Sequence, residues 1–456
     1  MARSKSRWRW VFFCASLVVG VVWLEARYLG LTSASDQLAE QLRLAHLEGL
    51  PVEPNDLRRH SVPDSENAAN GIMNLYYQAK ALPDDPWSVL TQFGAVLSTD
   101  RQLKEALMEL EPLVPVAESF SLRPNLDLHC QWERGPDLMF PELSATRESV
   151  RWMVKRSHFE AVANNLGQAE RSLIIAARLV QLISEVPTSI AFSWRIGSES
   201  QVLLEVANLA RQLKGNQFSV RTGEEVLSAL GPMPDPRFSL GFDVVQCRIA
   251  LREIPYWEET HSRSGPMYDD VGFGGEKYLL RIRSVSDLND AIIVANFRAI
   301  ARALPKDLSN PGSARSRLKK LNNEIENQGG LDHLALGPTF DPTDRLCSCL
   351  ARRRVVQAGL EILMQKTRVA EFPATWAKAG PDGIDPFTGK PLIYRRTPNG
   401  FVVYSVDRDG KDDGGRPYPL DGDDERRQDI SFEYPKISLK AEVLGPPKPR
   451  SLDSGD

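Results

Sequence analysis

Histidine and cysteine are scarce in this chain, with six His and five Cys in 456 residues and no CxxC or HExxH spacing. That excludes a zinc framework and a disulfide-built scaffold. Neither sign of charge dominates: 56 Lys+Arg stand against 60 Asp+Glu, a net of −4, so no global basic field points to nucleic acid. There is no P-loop and no GxSxG, and Phe273-Gly274-Gly275 lacks the strand–turn–helix context of a dinucleotide site. With 42% hydrophobic and 25% charged residues the chain is neither collagen, nor mainly disordered, nor a multi-span membrane protein. Its length leaves room for two or three domains at ~100–200 residues each.

One apolar run is present. Arg3, Lys5, Arg7 and Arg9 precede Trp10–Leu24, where every residue is apolar or small. A span needs roughly 20 residues. Residues 8–29 reach that length if Arg9, Glu25 and Arg27 snorkel to the interfaces, where Trp8, Trp10, Trp23 and Tyr28 form the aromatic belts. A cleaved signal needs a small-x-small exit, and Thr32-Ser33-Ala34 is a weak one. The expectation is an uncleaved single-pass anchor, basic tip in the cytoplasm and the bulk outside it. Cys130, Cys247, Cys347 and Cys349 then lie where pairing is possible, although Cys347 and Cys349 face apart on a helix. Small buried apolar residues are the plainer reading of all four.

Apolar periodicity predicts helices over much of 35–371. Asp64 is the expected cap of a helix carrying Ile72, Met73 and Tyr76; the 121–142 segment, with His129, reads as irregular. Residues 144–164 and 168–185 form a helical pair around Asn165-Leu166-Gly167, followed by a helix over 190–213 closed by Gly215. The pair resembles one tetratricopeptide unit, but its second helix is too long for the 34-residue period. An α-hairpin stack is the expected architecture. Long loops are expected at 255–285 and 305–342, the second with a short basic helix near Lys319 and Lys320, before a last long helix from Thr343. After Pro373 the pattern changes: 392–396 and 401–406 read as strands joined by Thr397-Pro398-Asn399-Gly400, with a third strand over 430–434.

No nucleophile–base spacing emerges. His158 lies near Arg151, Lys155 and Glu160, and Glu199 and Glu205 read equally well as exposed helix faces. The one local constellation is acidic: nine acids against five bases between Asp407 and Asp429, interleaved with Gly410, Gly414, Gly415 and Gly422. Hard oxygens on a glycine-bent loop suit calcium, but aligning Asp407 and Asp409 to an EF-hand leaves Arg416 where a bidentate Glu belongs. A solvated acidic loop is the plain alternative.

Asp385-Pro-Phe-Thr-Gly-Lys-Pro-Leu-Ile-Tyr394, Gly400-Phe-Val-Val-Tyr-Ser405, Asp409-Gly-Lys-Asp-Asp-Gly414 and Asp429-Ile430 together resemble the C-terminal module of the major pseudopilins of type II secretion. The resemblance covers about 50 residues of the chain. It implies an antiparallel sheet ending in a loop that binds one structural calcium, with Asp409 and Asp429 as ligands, the Val406 carbonyl as another, and Asp412, Asp413 and Asp424 as candidates for the rest. The chain lacks that family's prepilin cleavage sequence, so polymerisation is not implied. The whole layout, with Pro63-Asp-Ser-Glu-Asn-Ala-Ala69 at a helix start, is similar to uncharacterised bacterial membrane-anchored envelope proteins. This similarity carries no known activity.

The expectation is therefore a mainly α protein: basic tip and transmembrane anchor (1–34), helical domain (35–371), small antiparallel β module with a calcium loop (372–435) and disordered tail (436–456). The resemblance implies the bacterial inner membrane, with the bulk periplasmic. The expected role is non-catalytic: a scaffold contacting the membrane through residues 8–29 and a protein partner through its helices, with no nucleic acid. The alternative is an extracytoplasmic hydrolase with a dispersed site and the aromatic 255–285 loop as a lid.

Overall fold

The structure, a computed structural model, describes residues 33–58, 62–91, 100–253, 281–306, 308, 310–327, 343–369, 371–415 and 429–435. Within them the protein is mainly α-helical with one small C-terminal sheet. No helix among the described residues is long and apolar enough to cross a membrane; the expected span, residues 8–29, lies outside them, as does most of the 255–285 loop.

The centre is a helical hairpin. Helix α6 (Pro141–Val162) begins with proline, whose missing N–H costs nothing at a first turn. It ends where Asn164 takes a left-handed φ of 63°, a conformation asparagine tolerates. Helix α7 (Leu166–Ile183) then returns against it. Its near-continuous apolar sequence is explained by its neighbours: Leu173, Ile175, Leu179, Val180 and Ile183 are buried between α6, helix α8 (Ser189–Gln212) and helix α9 (Gln217–Ala229). Side chains cap the following helices as local chemistry requires: Thr188 Oγ1 accepts from Ala191 N at 2.9 Å and Asn216 Oδ1 from Ser219 N at 2.9 Å.

Before the hairpin come helix α1 (33–47), α2 (Ala69–Lys80), α3 (Pro86–Thr91), α4 (Asp100–Leu110) and α5 (Val114–Ser121). Asp64 does not cap α2; its carboxylate lies 3.4 Å from the Asn70 amide. The N-cap is Ala68, and Asn67, just before it, accepts from Ala69 N at 3.1 Å. Wholly buried, it also accepts from Asp127 N at 3.0 Å and donates to Asp127 O at 2.8 Å. The position needs a side chain that both donates and accepts, and an aspartate carboxylate only accepts.

A second, smaller core forms where α1 and residues 50–52 meet α10 (Leu240–Glu253), α11 (Arg283–Ala303) and α12 (Arg315–Asn327), with Leu240, Val244, Leu251, Ile293, Val294 and Phe297 buried. Arg248 crosses it, its Nε donating to Asp290 Oδ1 at 2.6 Å and Nη1 to Glu53 Oε1 at 2.8 Å.

Helix α13 (Thr343–Val369) joins the main core to the sheet. Strands β1 (Ile393–Thr397), β2 (Gly400–Ser405) and β3 (Ile430–Tyr434) are antiparallel in the order β1-β2-β3. Thr397 pairs with Gly400, leaving Pro398-Asn399 as a two-residue turn. Every residue of β2 is buried. Phe401 and Phe432 stack at 5.9 Å, and Phe432 lies on Gly359 of α13, where a Cβ would stand 2.5 Å from its ring. The Arg211 guanidinium of α8 also covers that ring, at 5.2 Å, and donates to Glu433 O at 2.9 Å. The sheet thus shares one core with the helices.

At Gly197, mid-helix in α8, an added Cβ would meet nothing within 4 Å, whereas at Gly359 it would meet an aromatic ring. Gly197→Ala should therefore stabilise the chain by up to about 1 kcal/mol through helix propensity. Gly359→Ala should destabilise it by about 1–3 kcal/mol through overpacking. Urea unfolding of the two variants checks the signs, and a stabilising Gly359→Ala contradicts the packing described.

Candidate functional site

The acidic loop begins where β2 ends. Val406 is buried, its N–H donating to Asp385 Oδ2 at 3.0 Å and its carbonyl accepting from Ser405 Oγ at 3.2 Å. Asp385, itself buried, also accepts from Phe387 N at 2.8 Å, so the Asp-Pro-Phe-Thr-Gly-Lys turn is fastened to the strand end. Burial raises its carboxyl above the usual range despite these bonds. In the sequence Asp385 is only the first letter of a pattern; an Asp ahead of Pro-Phe-Thr-Gly, able to accept from the N–H two residues on, is the signal for an Asx turn.

Beyond Val406 the chain bends through Gly410, Gly414 and Gly415, whose φ values of 69°, 79° and 76° suit only glycine well. Asp409 is exposed and accepts from Lys411 N at 3.0 Å, shaping its own turn. Asp412 Oδ1 accepts from Tyr404 Oη at 2.8 Å and from Gly414 N at 2.9 Å. The first residue before β3, Asp429, is 2% exposed. Its Oδ2 accepts from Gly415 N at 2.7 Å, while its Oδ1 is buried with no hydrogen-bond partner.

Burial pushes the Asp429 carboxyl up to about 6, and the charges of Asp412 and Asp413 add to the rise. The fold therefore brings Asp412, Asp413 and Asp429 into one electrostatic cluster. Asp409 and Val406 are engaged in local bonds of their own, and Asp424 lies outside the described residues. Among the described residues no group of three or more His, Cys, Asp or Glu side chains is assembled closely enough to hold a metal. A buried carboxylate oxygen without a donor, beside like charges on a glycine-bent turn, is nevertheless the donor chemistry a hard cation takes.

A second concavity lies where the sequence reads as irregular. A cleft of about 320 Å³ is lined by Leu57, Asp127, His129, Cys130, Trp132 and Glu185, among others. His129 holds a left-handed φ of 48°. Its Nε2 stands 3.3 Å from Asn67 Nδ2 and its Nδ1 3.5 Å from Asp127 Oδ2, so both ring nitrogens face protein partners. Burial pushes the Cys130 thiol up to about 12, and at neutral pH it is not a thiolate. This arrangement clasps the 125–130 segment onto α2; it does not present a poised base or nucleophile.

His158 and Glu205, 47 residues apart in the sequence, meet at 3.2 Å between α6 and α8. Neither Glu199 nor Glu205 is an exposed face: both are buried, because α13 and α6 cover those sides of α8. Glu205 is raised by burial, against the pull of His158. Glu199 would be raised too, but the Arg195 and Arg353 charges hold it below the ordinary range. The four described cysteines form no disulfide with one another, and Cys247, Cys347 and Cys349 are buried in the core. Comparison of the chain with protein-family models, curated proteins and solved structures finds no match.

The Asp429 shift has a signed consequence. Its folded-state pKa of about 6 exceeds the unfolded value of ~3.9, so below both values it contributes nothing. As pH rises through that window the unfolded chain ionises first and the fold loses stability. Asp243, pushed up to about 7 by burial, titrates alongside, so the measurement is a difference. In chelator, the Tm of the native chain minus that of Asp429→Asn should fall between pH ~4 and about 6 and then level off. A difference that stays flat over that range removes the shift.

Proposed function

We propose that this chain is a non-catalytic envelope protein, tethered to the bacterial inner membrane through residues 8–29, with its bulk periplasmic. Its helices form a scaffold that receives a protein partner, and its sheet is tied by one structural calcium. The observation that carries the calcium reading is Asp429: a buried carboxylate whose Oδ1 lacks a donor and whose ionisation is opposed by Asp412 and Asp413. Asp429, Asp412 and Asp413 would hold the ion, with Asp409, Asp424 and the Val406 carbonyl completing the set implied by the pseudopilin resemblance. Bound there, calcium would neutralise the cluster and join the end of β2 to the start of β3.

Calorimetry on the full chain in detergent should register calcium binding with Kd ~10⁻⁵–10⁻⁴ M and a weaker response to magnesium, which dehydrates reluctantly. Saturating calcium should raise stability by roughly 2.7 kcal/mol at a hundredfold excess over Kd. Asp429→Asn should abolish both effects. The calcium reading fails if no heat is seen and chelator leaves the melting point unchanged.

Topology has its own test. Alkaline phosphatase fused after residue 60 should be active and a cytoplasm-dependent reporter at the same point silent. The reverse pattern ends the tether reading.

A further inference from the structure

The segment beside the start of α2 uses its backbone on one edge only. Asn125 N donates to Glu66 O at 3.2 Å, and Asn125 O accepts from Ala68 N at 2.9 Å. Asp127 faces the same way: its N–H donates to Asn67 Oδ1 at 3.0 Å and its carbonyl accepts from Asn67 Nδ2 at 2.8 Å. This alternation marks an extended strand, in which successive residues present their N–H and C=O to opposite edges. The backbone groups of Leu126 and Leu128 therefore point away from Asn67. Among the described residues nothing hydrogen-bonds to them. Leu126 is 2% exposed and Leu128 half-buried. Buried backbone groups are almost always paired, with protein, water or ligand, so this edge calls for a partner.

The same segment lines the cleft of about 320 Å³, together with residues 57–58 and 185–187. Asn67 and Ala68, which hold the paired edge, do not line it, so the cleft lies on the unpaired side. Its volume is at the small end of ligand clefts, ~300–1,000 Å³, which suits one strand and not the edge of a second sheet. Leu57, Trp132 and Val186 give it an apolar lining. Asp127 and Glu185 bring two negative charges, whereas the charge of Arg58 is met by its ion pair with Glu133. His129, with its φ of 48°, ends the extended run.

We propose that this cleft binds one extended peptide segment of a partner protein by strand addition along Leu126–Leu128, and that it favours segments in which apolar and basic residues alternate. Main-chain hydrogen bonds from the open edge supply affinity whatever the side chains, and the lining of the cleft supplies preference. Apolar side chains of the peptide meet Leu57, Trp132 and Val186, and basic ones meet Asp127 and Glu185. The inference rests on the reading of the chain as a partner-binding scaffold, to which it adds a place and a chemistry. It does not depend on the calcium loop.

The full chain in detergent would be titrated calorimetrically with the capped pentapeptide acetyl-Lys-Val-Lys-Val-Lys-amide, with its glutamate counterpart, and with two N-methylated forms of the lysine peptide. One form is methylated at the valine nitrogens and the other at the lysine nitrogens. The lysine peptide should bind at sub-millimolar concentration and more tightly than the glutamate peptide. Only one edge of an added strand faces Leu126 and Leu128. One methylated form should therefore bind at least about tenfold more weakly, and the other close to the parent. Leu128→Pro, which removes a donor from the open edge, should weaken the parent peptide to a similar degree. Asp127→Asn, whose amide oxygen can still accept from His129 N, should weaken the lysine peptide a few-fold and spare the glutamate one. Should Leu128→Pro fail to fold, the methylated peptides give the readout on the native chain. The proposal is overturned if the lysine peptide does not bind, if the two methylated forms bind alike, or if binding is unchanged in a folded Leu128→Pro chain. Mass spectrometry of the titrated peptides keeps the two readings apart. Cleaved peptide ends the non-catalytic reading, and intact, unbound peptide ends only strand addition.

Discussion

The molecule is organised around a carboxylate with no exposure to water. Glu199 of α8 pairs with Arg195 one turn earlier and accepts from Arg353 Nε of α13 at 2.6 Å. The same two arginines reach the end of α9, Arg195 donating to Leu230 O at 2.8 Å and Arg353 to Gly231 O at 2.7 Å. A buried ion pair gains little net stability over apolar packing, because desolvation consumes most of the Coulombic attraction. Removing one partner is a different matter, since it leaves an uncompensated charge in the core. The triad therefore fixes where α13 must lie, and everything carried by α13 inherits that placement.

What α13 carries is the sheet. Gly359 accepts the Phe432 ring, Leu360 and Leu363 fill the space left by Gly223 and Gly215, and the acidic turn hangs from the ends of β2 and β3. At Asp429, three glycines with positive φ let a loop fold back to a strand end. There the fold tolerates electrostatic repulsion that it neutralises elsewhere, as at Arg248 with Asp290.

Much of this architecture is legible in the residues. The 3.6-residue period locates most helices, the all-round apolar character of α7 announces its central position, and Thr-Pro-Asn-Gly marks the hairpin. The departures have local causes. Asp64 has the composition of a cap, but the position requires a donor as well as an acceptor, and that need arises only when residues 125–127 come alongside. Glu199 and Glu205 look like surface residues because their partners, Arg353 and His158, are far away in sequence. In the acidic loop, the sequence pattern puts Asp409, Asp429 and the Val406 carbonyl first and Asp412, Asp413 and Asp424 behind them; it does not show that Asp409 shapes its own turn or that Asp385 fastens the strand end.

The glycine contacts of α13 also bear on how the chain reaches this fold. Helix α9 carries Gly223 and the turn before it Gly215, and these receive Leu360 and Leu363 from a segment about 140 residues later. During synthesis, α8 and α9 emerge with that groove unfilled and with Glu199 lacking its second arginine. Helices α8 and α9 therefore have to wait, partly apolar and partly charged, until α13 arrives. Such a delay is long compared with helix formation, and it is the interval in which a chaperone has most to bind.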